Sequence, residues 1–186
     1  MAEKIRCGWP GNDELMIKYH DEVWGKPVHD DRILFEFLIL EGAQAGLSWS
    51  TILNRQHTYK KAFDNFDAKK ISKYTSKDKK RLLNDVGIIR NRLKVDSAIL
   101  NAQKFLEVQK EFGSFDKYIW SFVNHKSIIN KFKKHTDIPA TTKESDAMSL
   151  DLKKRGFKFV GSTICYAFME AVGMVNDHEV GCFRHK

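Results

Sequence analysis

Four residues near the two ends of the chain have the types and spacing to hold one metal ion. His178 and Cys182 stand four positions apart in "NDHEVGC", residues 176 to 182. On a helical turn such a pair points the same way, so an imidazole and a thiolate could share one ion. Cys7 and His20, in "CGWPGNDELMIKYH", offer a second pair near the other end. Two Cys and two His make a tetrahedral set of the kind zinc takes, with no position left for water, and such a closed site is structural. The competing reading is of ordinary near-terminal cysteines and surface histidines, because this spacing does not match a zinc-finger ribbon. Spacing alone leaves both readings open. His29, His57, His125, His135 and His185 lack comparable partners. A closed site would restrain two ends that otherwise fray.

The elements that must carry these residues read as helices. Three prolines and almost no period-2 alternation make strands scarce, while apolar residues recur three and four apart. The fold class expected is all-α. "DDRILFEFLILEGAQAGLSW" offers Asp30 and Asp31 as N-caps and is then apolar nearly all round up to Glu41, the pattern of a helix at the centre of a core. "NRLKVDSAILNAQKFLEV" sets Val95, Ala98, Ile99, Ala102, Phe105 and Leu106 on one face, against Lys94, Asp96, Asn101 and Lys104 on the other. Near the end, Ser145 is a candidate cap, Gly156 a stop, Ser162 a second cap and Gly173 a second stop, which predicts two helices joined by a hairpin of five or six residues.

Composition bounds the rest. A chain of 186 residues with 42% hydrophobic content can bury one substantial core, and no linker or repeat divides it, so residues 1 to 186 are expected to form one domain. The net charge of +8 and a pI near 9.3 suit a polyanionic partner. The Lys-rich "KKISKYTSKDKKRLL" has the composition of a solvated face. The N-terminal residues lack the apolar stretch of a signal peptide, and no run approaches the roughly 18 apolar residues of a membrane span, which predicts a cytoplasmic protein with no membrane partner. Three cysteines argue against a disulfide framework, and Cys165, inside an apolar helix, reads as a buried small hydrophobe.

Seven segments in order closely resemble the DNA-3-methyladenine glycosylase I family, the bacterial alkylation-repair glycosylases. They are "RCGW" (6–9), "YHDEVWG" (19–25), "LEGAQAGLSW" (40–49), "GIIRNRLK" (87–94), "WSFVNH" (120–125), "KKRGFKFVGSTICYAFMEAVGMVNDH" (153–178) and the closing "GC". The resemblance implies the helix-hairpin-helix glycosylase fold. It also implies one structural zinc per chain on Cys7, His20, His178 and Cys182, joining an N-terminal segment (about 1–28) to a C-terminal one (about 174–186). The expected partners are alkylated double-stranded DNA and 3-methyladenine as the released base, and the protein is expected to act as a monomer.

By the same resemblance the base pocket has Tyr19 and Trp49 as aromatic walls and Glu41 as acceptor for the exocyclic amine of a flipped adenine. Met16 stands where relatives often carry a second tyrosine. Gly46 and Leu47 are expected at the gap left by the extruded nucleotide. Lys158 and Gly161 belong to the "GFKFVG" hairpin, whose backbone N–H groups are expected to grip a phosphate. Lys158, Phe159, Val160 and Gly161 replace the superfamily's usual Pro-Gly-Val-Gly, so only the last glycine carries over. Asn176 occupies the position where the superfamily's catalytic Asp usually stands, and Asp177 lies next to it. Ser162 and Thr163 stand where a lyase would have its lysine, so a monofunctional enzyme is expected. The alternative to an enzyme is a zinc-stabilised helical DNA-binding module without catalysis, which would need no base-sized pocket.

Overall fold

In the computed structural model, which describes residues 4–186, the regular structure is almost all helical. The first three residues of the expected 1–28 segment lie outside the described residues. The α-helices are α1 (Glu14–Glu22), α2 (Asp31–Gln44), α3 (Trp49–Leu53), α4 (Gln56–Ala62), α5 (Ala68–Ile71), α6 (Ser76–Asn84), α7 (Arg92–Phe112), α8 (Phe115–Trp120), α9 (Lys143–Lys154) and α10 (Ser162–Ala171). One departure from an all-α chain is a two-residue parallel pair, β1 (Ile128–Ile129) with β2 (Val175–Asn176). It ties the segment after α10 to the segment after α8.

Helix α2 is the centre. Asp30 caps it by accepting from the Ile33 amide at 3.0 Å, and every residue from Leu34 to Ala43 is buried. Asp31, the other candidate cap, is the first helical residue instead. Its carboxylate accepts from the amides of Phe115 and Asp116 and so caps α8. One acidic pair thus starts two helices. α7 and α10 pack against α2 on separate sides, and Phe35, Phe105, Phe115, Phe157 and Phe168 fill the space between them.

The hairpin between α9 and α10 differs in detail from its sequence reading. Thr142 caps α9, with Ser145 one turn inside, because the Thr142 hydroxyl meets the Ser145 amide and the Ser145 hydroxyl meets the Thr142 amide. Gly161 occupies the cap position of α10 and supplies no side chain, while Ser162 is already helical. The connection therefore spans the seven residues 155–161 rather than five or six. Asn101, expected on the solvent face of α7, is buried. Its amide donates to the Lys158 carbonyl at 2.9 Å and accepts from the Lys158 amide at 2.8 Å, which explains a polar residue on that face.

A second correction concerns the C-terminus. His178 and Cys182 do not lie on a helix, because β2 pairing holds the chain extended up to residue 176 and a turn follows, with the Cys182 amide donating to Glu179 at 2.7 Å. Gly173 makes the passage from α10 into β2 possible. It has φ of +69°, and a Cβ placed there would fall 2.2 Å from the carbonyl carbon of Lys26. Both the backbone conformation and the space demand glycine. Gly173→Ala should therefore destabilise the protein by about 3 kcal/mol or more, combining a left-handed penalty with a backbone clash, and thermal unfolding alongside wild type measures it.

Candidate functional site

The inner end of α2 opens onto a cavity of about 350 Å³ walled by α1, α3 and α10. Glu41 is at its base, only 3% exposed, so the reading of a solvated helix-end acid is excluded. Tyr19 and Met16 enter from α1, Trp49 from the start of α3, and Ala167 and Glu170 from α10. The Tyr19 and Trp49 rings lie 5.2 Å apart at 48°, forming an angled aromatic wall. Trp9, Trp24 and Gln44 complete the lining, with His135 and Ile138 contributed by the loop after β1. The indole N–H groups of Trp9 and Trp49 are buried and have no acceptor among the described residues.

Gly46 and Leu47 form the turn that leaves α2. The Leu47 amide donates to the Gln44 carbonyl at 2.7 Å, Gly46 takes a left-handed φ of +77° with open space around it, and Leu47 is exposed. Lys94 reaches across to the carbonyls of Ala43 and Ala45 at 2.6 and 2.8 Å, satisfying the last orphan acceptors of the helix with a cation.

Electrostatically the cavity is a place where negative charge is costly. Burial pushes the Glu41 carboxyl up to about 8. Glu170 is also raised well above the carboxylate range, by burial first and then by Asp177 and Glu41. Burial likewise raises the Tyr19 phenol, with Glu41 and Glu170 adding to it. Asp177 is buried, with one oxygen accepting from Tyr166 at 2.6 Å and the other from Asn130 at 2.7 Å. It does not line the cavity, and its committed oxygens leave it poorly placed to act as a base there.

Beside the cavity is the cluster of potential ligands. One donor atom each from Cys7, His20 and Cys182 lies within 4.8 Å of the others, and all three residues are buried. His178 stands outside that tight group, with its ring centroid 4.8 Å from that of His20. Its Nδ1 faces the Asn176 side-chain oxygen at 2.9 Å, and its Nε2 is buried without a partner. His20 Nδ1 is likewise held by Asp21 at 2.8 Å, leaving Nε2 facing Cys182 Sγ at 3.5 Å. Asp21 in turn takes a forked contact from Arg6, which with the His20 contact holds its carboxyl down to about 2. Each ring nitrogen that points away from the cluster thus meets an acceptor, the outer-shell arrangement that presents a lone pair inward. Burial lowers both imidazole pKa values, His178 to about 4, so both are neutral as metal binding requires. The donors of Cys7, His20 and Cys182 fit a metal ion, and the Nε2 of His178, without a partner among the described residues, is a further atom that such an ion would satisfy.

At the hairpin, Lys158 is exposed but its amide is already taken by Asn101. Gly161 has open space where a side chain would be, and among the described residues no protein acceptor meets its amide. The Phe159 side chain approaches Gly42, so the hairpin packs directly on α2. The Ser162 hydroxyl is engaged by Asp146 at 2.5 Å and Ser145 at 2.8 Å.

Sequence reasoning missed Trp9, Trp24, Glu170 and His135. The first two lie within quoted motifs but were given no role. Glu170 carried a signal of its own, as the lone carboxylate on an otherwise apolar α10. His135 carried none, since its place depends on how a long loop folds back.

The sequence profile of the methyladenine glycosylase family matches residues 9–185. The chain is 49% identical over 177 residues to DNA-3-methyladenine glycosylase 1 of Escherichia coli (strain K12), covering 95% of both chains. It superposes on a crystal structure of 3-methyladenine DNA glycosylase I with a TM-score of 0.95 at 47% identity, covering 98% of this chain and 100% of the other. A Staphylococcus aureus 3-methyladenine DNA glycosylase I, solved to give the structural basis of 3-methyladenine recognition, superposes with a TM-score of 0.94 at 35% identity, covering 97% and 96%.

The raised carboxyl of Glu41 has a consequence for stability. Between the unfolded value near 4.5 and about 8, the folded chain retains a proton that the unfolded chain has released. Stability attributable to Glu41 is therefore full below pH 4.5 and is lost as pH rises towards 8, with a slope approaching about 1.4 kcal/mol per pH unit. Glu41→Gln lacks this term. Denaturant unfolding at pH 6, 7 and 8 should show the variant gaining steadily on wild type, and parallel curves would mean that Glu41 is ionised throughout.

Proposed function

This chain belongs to the methyladenine glycosylase family and is a DNA glycosylase for 3-methyladenine, and we propose that it draws the alkylated nucleotide out of the duplex into the cavity above Glu41. The observation that carries this reading is a fully buried carboxylate at the base of an aromatic, base-sized cavity. A DNA-binding module without catalysis has no use for such a cavity, and the family membership sets that alternative aside.

Methylation at N3 makes the adenine base cationic while it remains attached to the sugar. Water attacks C1′, the C1′–N9 bond breaks, its electron pair goes to N9, and the base leaves neutral while the water's proton is released to solvent. Little proton transfer is asked of the protein, and no dedicated base is needed. Tyr19 and Trp49 stack on the base, and Met16 closes the rim with a polarisable side chain in place of a hydroxyl. Glu41 accepts from the exocyclic amine. An empty cavity holds this carboxyl largely protonated near neutral pH, and a cationic base favours its ionised form, so unmodified adenine cannot repay the cost of ionisation and the lesion can. Selectivity thus arises from desolvation. Gly46 and Leu47 enter the gap in the stack, while Gly161 and the amides that open α10 take a phosphate, with Lys158 adding charge at the surface. With Ser162 and Thr163 at the lyase position, the enzyme is monofunctional. It acts as a cytoplasmic monomer.

Zinc fits the clasp best among common ions, because two thiolates and two neutral imidazoles are its usual tetrahedral set. When bound, it supplies folding energy and no chemistry of the reaction. Cys7, His20, His178 and Cys182 hold it, so that the stretches at about 1–28 and 174–186 close a single domain.

Excision tests the pocket. Glu41→Gln should lower the rate of 3-methyladenine release from methylated DNA, as kcat/KM, ten- to a hundred-fold, as expected for a charge-assisted hydrogen bond of about 1.5 to 3 kcal/mol. Equal excision would remove Glu41 from base recognition. Metal analysis tests the clasp: protein purified without chelator should carry one zinc per chain, and Cys182→Ala should lose it together with several degrees of melting temperature. Metal-free wild-type protein of full stability would end the zinc assignment.

A further inference from the structure

The loop from Asn130 to Ile138 has no part in the reading above, yet it forms one side of the cavity mouth. His135 and Ile138 line the cavity, His135 from an exposed position and Ile138 partly buried against the core. On the same loop Lys131, Lys133 and Lys134 are exposed, and among the described residues no carboxylate pairs with any of them. Lys134 adjoins His135 in sequence, so its ammonium is within one side-chain length of the rim.

The loop is also held in place. The Asn130 amide donates to Asn176 at 3.0 Å, the Val180 amide to Phe132 at 2.9 Å, and the His135 amide to the Glu179 carboxylate at 3.1 Å. The same Glu179 oxygen accepts from Gly8. These contacts are made by backbone and by residues 176–180, not by the lysine side chains. Three cations without a carboxylate ion pair among the described residues thus stand on a backbone held in place, with Asp137, which accepts from the Lys134 amide at 3.2 Å, as the one acid of the loop; a merely solvating charge run needs no fixed backbone.

We propose that this loop is a second phosphate-binding surface, contacting the DNA backbone beside the extruded nucleotide through Lys133 and Lys134. The proposal rests on the flipped-base reading of the cavity. A base enters through the mouth with its sugar and phosphates still attached, so the flanking phosphodiesters must pass over the rim. The hairpin reaches the DNA from the side of α2, and the loop supplies positive charge from the side of the clasp. A nucleotide bound at both sides is held by its backbone while the cavity reads its base.

Lys133→Ala combined with Lys134→Ala tests this, with Lys77→Ala combined with Lys80→Ala as a control that removes the same charge from the exposed face of α6. Binding to a duplex containing an abasic-site analogue is titrated at several salt concentrations, and free 3-methyladenine binding is measured by calorimetry. The rim variant should bind the duplex about tenfold more weakly, with a salt slope shallower by about 2, since each lost phosphate contact reduces it by about 0.9. Its melting temperature and its affinity for the free base should match wild type, and the control should retain most of its duplex affinity. Equal weakening in both variants would reduce the effect to net charge and overturn the proposal, as would an unchanged salt slope in the rim variant. Failure of the cavity reading would show separately, as free base that does not bind wild type.

Discussion

The cost of keeping a carboxyl group out of water governs the arrangement of this molecule. Glu41 projects from a helix whose residues are buried for nearly three turns, and among the described residues no cation is placed to neutralise it. A carboxylate so placed is tolerable in two ways: it keeps its proton, or a positive charge comes to it. The surroundings serve that restriction. Four aromatic rings, those of Trp9, Tyr19, Trp24 and Trp49, line the cavity, and Lys94 at the end of α2 is spent on backbone carbonyls. Glu170 from α10 adds a second acid that the same environment disfavours ionising.

Such a cavity retains its properties only if its walls stay in place, and α1 is one of those walls. This nine-residue helix carries Tyr19 into the cavity and, at the next position, His20 into the ligand cluster. Trp9 touches Tyr19, His20 and Trp24 edge to face, and Trp24 meets His178 edge to face as well, with ring centroids 4.6 Å apart. One packed set of rings therefore joins the clasp to the cavity. The two-residue pairing of β1 with β2 completes the arrangement by fixing where His178 arrives.

The sequence made the helical class, the central position of α2 and the two helices around the hairpin legible, because these follow from periodicity, caps and glycine stops. The candidate ligands and Glu41 stand out in the sequence as unusual residue types in their settings. What was not legible depends on tertiary placement. Asn101 satisfies the solvent-face pattern of α7 and is nevertheless buried, since its partner is a hairpin 57 positions away. A helical spacing of His178 and Cys182 suggested a helix that the β2 pairing forbids. Thr142 and Ser145 are both good caps, and only the geometry of the turn decides between them. Glu170 and His135 reach the cavity through the packing of α10 on α2 and the return of a loop, for which no local pattern exists.

The distribution of tryptophan has an optical consequence. Of the four in the chain, Trp9, Trp24 and Trp49 all line the cavity, while Trp120 is buried at a distance in sequence with its indole N–H donated to Val28. The protein's ultraviolet emission is therefore weighted towards its own binding chamber. Trp9 and Trp24 also touch His20 and His178, whereas Trp49 faces Tyr19, so a change at the two histidines reaches two of the three cavity indoles and leaves Trp49 to report on the cavity alone. Trp120 supplies a fixed reference within the same spectrum, and the unlabelled chain can be followed through both events by its own light.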